Sequence, residues 1–91
     1  MDNIRKNKFY SSIDKIVWEK WDPIGINNNL NIRNEYYGYI PIIFEKALNS
    51  NDEKELANVL FSIETDRIGL DGNYEKCLMI SKEILKEKGK V

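Results

Sequence analysis

The chain has no histidine, one cysteine and two prolines among its 91 residues. Lack of histidine removes the commonest general base, the commonest metal ligand and the usual partner of a nucleophilic serine or cysteine. A di-metal bundle site built on glutamate–histidine pairs is excluded with it. Cys77 cannot close an internal disulfide, which fits a reducing compartment and predicts a cytoplasmic protein. The longest apolar run, residues 39–44, is interrupted by Pro41 and falls far short of the ~20 residues that span a bilayer. Residues 1–8 are charged and lead into no apolar core, so no secretory signal and no membrane partner are expected. The glycines, at positions 25, 38, 69, 72 and 89, make no phosphate-cradling pattern. Asp66, Asp71 and Asn73 lack the spacing of a calcium loop.

What the chain does have is apolar and charged residues in globular proportion, 42% and 32%. That suits one small helical domain over 1–91. A chain of this length buries only about 60–65% of the surface it exposes when unfolded, which leaves little room for an internal substrate cavity. The net charge of −1 hides a segregation. Residues 1–21 and 72–91 each carry five basic and three acidic side chains. Residues 51–71 carry six acids (Asp52, Glu53, Glu55, Glu64, Asp66 and Asp71) against Lys54 and Arg67. Acids interleave with the bases at both ends, which argues against nucleic-acid binding. Glu64 and Asp66 lie close in sequence, but with no polar loop around them they read as solvated surface and not as an acid–base pair. The expectation is a protein that is not an enzyme and holds neither cofactor nor metal.

Apolar spacing is helical almost throughout. Phe9, Ile13, Ile16, Val17 and Trp21 form one stripe of a first helix over about 3–21. Pro23 ends it, because the residue before a proline is pushed out of the helical region. Asp22 then suits a cap, its carboxylate accepting N–H groups two or three residues on, with Pro23 opening a new turn. Gly25 can take a positive φ there. Asn34 can cap a second helix, with Tyr36, Tyr39, Ile40, Ile43, Ala47 and Leu48 on one face. Pro41 predicts a kink or break at 38–40. A buried tyrosine hydroxyl needs a partner, and the Asp22 carboxylate is the one expected.

Ser50…Glu53 and Asp52…Glu55 both match the capping box of a third helix. Leu56, Val59, Leu60 and Ile63 supply its buried stripe, and Gly69 marks its stop. A fourth helix after 71–73 turns Tyr74, Cys77, Leu78, Ser81, Ile84 and Leu85 inward. No stretch alternates with period two for long enough to make a strand. The pattern predicts an all-α fold: a compact bundle of about four short helices with one long irregular loop over 22–34.

Trp21-Asp22-Pro23-Ile24-Gly25, then Glu35-Tyr36 with Tyr39 and Pro41, then Ile63-Glu64 and Ile68-Gly69-Leu70, resembles the YugE-like family of small bacterial proteins, a domain of unknown function. The resemblance covers roughly residues 12–85. Asn34 departs from it, standing where the family pattern carries an acidic residue. It implies a compact helical fold in which the WDPIG corner packs on the tyrosine segment. No catalytic activity comes with it.

Three functions stay open. The first is a protein-binding module, most concretely an immunity or inhibitor protein that neutralises a basic toxin domain through Asp52, Glu53, Glu55, Glu64 and Asp66. The polar 27–34 loop beside the corner is a second recognition surface. The second function is a homo-oligomeric structural or regulatory protein, with Trp18 and Phe44 as contacts between copies. The third is a small-ligand sensor that uses the tyrosine cluster as a pocket.

Overall fold

In the computed structural model, which describes all residues 1–91, the chain forms four α-helices and no strand. The first, α1, spans Asn3–Ile16 and starts at Asp2, whose carboxylate accepts the Arg5 N–H at 2.9 Å. It runs without a break into a π-helical turn, Val17–Trp21, so the apolar stripe expected over about 3–21 is continuous. After a loop that holds a single 3-10 turn, Leu30–Ile32, the chain enters α2 at Ile40–Asn49. The break expected at 38–40 is where α2 begins. Pro41 sits in its first turn, where its missing N–H has no intrahelical partner to lose. Residues 34–39 form successive turns, with the Tyr37 N–H on the Asn34 carbonyl and the Tyr39 N–H on the Tyr36 carbonyl, and not the helix expected to begin at Asn34.

The third helix, α3, spans Glu53–Ser62 and continues as a second π-helical turn, Ile63–Ile68. Asp52 caps it, accepting the Lys54 N–H at 2.8 Å. The reciprocal half of the capping box is replaced. Ser50 Oγ accepts the Asp52 N–H at 3.1 Å and donates to the Glu55 carboxylate. Gly69 closes the element with φ 86°, the left-handed stop expected of it. The last helix, α4, spans Tyr74–Lys88 behind Asn73, whose side chain accepts the Lys76 N–H.

One continuous cluster of 17 buried residues joins all four helices. The α3–α4 contact is the most extensive, with α1 against α2 and α4 and α2 against α3. On α4 the buried residues are Cys77, Ile80, Ser81 and Ile84; Leu78 and Leu85 are half-buried and Tyr74 is exposed. The extents of 34 × 29 × 17 Å describe a slab two helices thick. No helix is long and apolar enough to cross a membrane.

Candidate functional site

The WDPIG corner starts from one backbone decision. Asp22 is the only residue other than glycine with a positive φ, 36°, and it closes the first π turn with its N–H on the Val17 carbonyl at 2.9 Å. Aspartate tolerates this left-handed state better than most side chains. The consequence differs from the cap expected. The carboxylate reaches over the turn to the N–H groups of Ile26 at 2.8 Å and Asn27 at 3.3 Å, four and five residues on. No helix follows directly, and Pro23 occupies a turn closed by the Gly25 N–H on the Asp22 carbonyl. Gly25 takes φ 75° as the turn requires.

The corner and the tyrosine segment do pack together. Tyr36 is buried and its hydroxyl donates to Asp22 Oδ1 at 2.7 Å while accepting the Ile24 N–H at 3.0 Å. Burial, then the Asp22 hydrogen bond, push the phenol well above its ordinary pKa. Tyr36 lies against both Trp18 and Trp21, with ring centroids 6.0 and 6.4 Å away. Tyr39 is half-buried at the start of α2.

Beneath the corner lies a second surprise. Glu64, expected on a solvated or partner-facing surface, is 3% exposed. Its carboxylate accepts the Trp21 indole N–H at 2.8 Å and the Asn73 backbone N–H at 2.8 Å. It therefore ties the first π turn, the second π turn and the start of α4 together, and it cannot serve as a surface contact. The buried Cys77 thiol lies beside it and is pushed up to about 12, by burial first and then by the Glu64 carboxylate. Such a thiol is not a ready nucleophile.

The four other acids proposed for a partner do not form one patch. Asp52 is used as a cap, Glu53 pairs with Lys82 at 4.0 Å and Glu55 with Lys46 at 3.7 Å. Asp66 lies thirteen residues beyond Glu53, about 20 Å along the helix. Trp18, proposed as a contact between copies, is 5% exposed and belongs to the core. Phe44 is half-buried against Phe9 and Tyr10. No group of three acidic or thiol side chains is placed to hold a metal.

Arg33 escaped the sequence analysis. It forms a bidentate pair with Asp14, both contacts at 3.0 Å, and its guanidinium lies 4.9 Å from the Trp18 ring centroid. The one available signal was its isolation as the only charge in residues 23–34. With Asn27 Nδ2 on the Glu19 carbonyl at 3.3 Å, it ties the far side of the loop to α1 and its π turn. The outer side chains stay uncovered: Ile24 is 43%, Leu30 75% and Tyr37 50% exposed. Beside them an open cleft of about 580 Å³ is lined by Lys15, Trp18, Glu19, Asn27, Asn28, Leu30 and Arg33. No protein-family model, curated protein or solved structure matches the chain.

Proposed function

We propose that this protein is a small bacterial, cytoplasmic protein-binding module without catalytic activity, most concretely an immunity or inhibitor protein that neutralises one toxin. One observation carries the reading. The 22–34 loop is fastened from beneath by Asp22, Tyr36, Asn27 and Arg33, while Ile24, Leu30 and the neighbouring Tyr37 face outward. A loop ordered before binding spares the entropy of ordering it at contact, and exposed apolar side chains on a rigid base are what a partner buries. The loop face is favoured over the acidic segment because Glu53 and Glu55 already pair within the chain. Membership of the YugE-like family belongs to this reading and adds no activity to it.

The test is affinity capture of the full chain from its native cells, with three baits. The wild type is expected to retain one stoichiometric partner that harms cells when expressed alone. The Leu30→Asp, Tyr37→Asp double variant is expected to lose it. The Glu53→Lys, Glu55→Lys, Asp66→Lys triple variant is expected to keep it. The reverse pattern would move the contact to the acidic face. Recovery of this chain alone, self-associated at high concentration, would replace the reading with the homo-oligomer.

A further inference from the structure

A second left-handed corner joins the second π turn to α4, with Gly69 at φ 86° and Gly72 at φ 85°. Asp71, just before Gly72, is exposed. The chain has six aspartates, and five have a carboxylate that accepts a hydrogen bond. Asp2 accepts the Arg5 N–H, Asp14 the Arg33 guanidinium, Asp22 the Ile26 N–H, Asp52 the Lys54 N–H and Asp66 the Ser62 hydroxyl. Asp71 alone has neither a hydrogen bond nor an ion pair. It is also the only aspartate followed by glycine. The Gly72 N–H makes no hydrogen bond, although the chain is fixed on either side of it. The Leu70 N–H donates to the Glu64 carbonyl at 2.8 Å and the Asn73 N–H to the Glu64 carboxylate at 2.8 Å.

We infer that Asp71 is a site of self-modification, at which the chain isomerises through a cyclic imide to a β-linked aspartate. The Gly72 nitrogen attacks Cγ of Asp71 in its carboxylic acid form. The N–Cγ bond forms, a Cγ–O bond breaks, and the hydroxyl leaves as water with the amide proton. The five-membered ring closes between adjacent residues, so the attack is intramolecular and needs no other reactant. Neither group has a partner to give up, and glycine sets no side chain against the ring. Water then opens the imide. Addition at Cγ restores Asp71, and addition at its main-chain carbonyl carbon leaves the peptide running through Cγ. Composition is unchanged, but the main chain between Leu70 and Asn73 is one carbon longer, by about 1.5 Å. Both ends of that segment are held by Glu64, and Gly72 lies hard against Phe61 and Thr65, so the added length has no inward room. The bond from the Asn73 N–H is the one that yields, because its acceptor is a side chain and not the backbone of the π turn. Glu64 then keeps only the Trp21 indole, and the cap of α4 loses its anchor.

The experiment holds the folded full chain at neutral pH in heavy-oxygen water and maps its peptides by mass spectrometry, with fragmentation that separates aspartate from its β-linked isomer. Each passage through the imide takes one carboxyl oxygen from solvent. Label and isomer are therefore expected together at residue 71 and at no other aspartate. Asp71→Glu, whose ring would have six members, is expected to lose both, and the fold is kept because this side chain is exposed and unbonded. Asp71→Asn, which expels ammonia in place of water, is expected to form the isomer faster. In the ¹⁵N spectrum of the isomerised chain the Asn73 backbone and Trp21 indole N–H signals are expected to move. Absence of label and isomer at residue 71 in the folded chain would overturn the site, as would equal label at Asp52 or Asp66. Isomer persisting in Asp71→Glu, or no acceleration in Asp71→Asn, would overturn the imide. Isomer at residue 71 with the Asn73 signal unmoved would overturn the consequence for the junction at Glu64.

Discussion

Asp22 shows what one side chain can hold. Its carboxylate meets two backbone N–H groups and the Tyr36 hydroxyl, in a conformation alanine adopts only with strain. Asp22→Ala is expected to lower unfolding free energy by about 2–3 kcal/mol in urea titration, above an ordinary cap because three donors lose their acceptor. Asp22→Asn, which keeps one oxygen and the backbone tolerance, is expected to lose less than half of that. Tyr36 and Cys77 make a pH prediction. Both are acids whose protonated form is favoured by folding, so the unfolded chain ionises first. The Cys77 contribution is whole below its ordinary value of 9.0 and lost as pH rises through about 12. The Tyr36 contribution is whole below 10.0 and lost above it. The urea midpoint should fall from about pH 9 upward. Cys77→Ala should remove the early part of the fall and Tyr36→Phe the later part. An unchanged alkaline limb in both variants would contradict this account.

At the scale of elements, much was legible, and two of the losses share one cause. The stripe from Phe9 to Trp21, the stop at Gly69, the cap at Asp52 and the Asp22–Tyr36 contact all follow from local rules that the fold obeys. Trp18 and Glu64 were misplaced, and both sit in π turns. A π turn winds more residues per turn than an α-helix, so neighbours that α spacing splits between surface and core both face inward. In the π turns Val17 and Trp18 are both buried, as are Ile63 and Glu64, whereas within the ordinary helix of α3 and α4 adjacent residues are both buried only where one is small, Leu56 with Ala57 and Ile80 with Ser81. Periodicity read at the α period cannot show this. Arg33–Asp14 was missed for another reason, because nineteen residues separate partners with no local pattern between them. The second corner gives its own test. A Cβ on Gly72 would stand 2.6 Å from Phe61 Cε2 and 2.8 Å from Thr65 Cγ2, whereas one on Gly69 meets nothing within 4 Å. Both have positive φ, so Gly69→Ala should cost about 1 kcal/mol from backbone strain. Gly72→Ala should cost about 2–4 kcal/mol because the ring must also move. Equal melting temperatures for the two would refute the contact.

For the whole molecule, stability rests on burial more than on charge. All six ion pairs have both side chains at least 29% exposed. Each is worth about 0–1 kcal/mol and is screened by salt. Raising sodium chloride to about 0.5 M should therefore change unfolding free energy by less than about 1 kcal/mol. The Arg33–Asp14 pair, bidentate and laid over Trp18, is the one expected to show in a double-mutant cycle.

The π turns also divide the chain into lengths that can drift and lengths that cannot. Each is a helix holding one residue more than its pitch asks for. Deleting Lys20 would restore an ordinary helix and swing Trp21 away from Glu64. Spelling there is free, but counting is not. Asn28, the one residue of 27–29 whose side chain makes no hydrogen bond, marks the place that tolerates the opposite change, since doubling a loop's length adds only about 0.6 kcal/mol of closure cost. In descendants of this sequence, insertions and deletions should gather in the loop and spare residues 17–21 and 63–68, even where side chains in those turns have been exchanged.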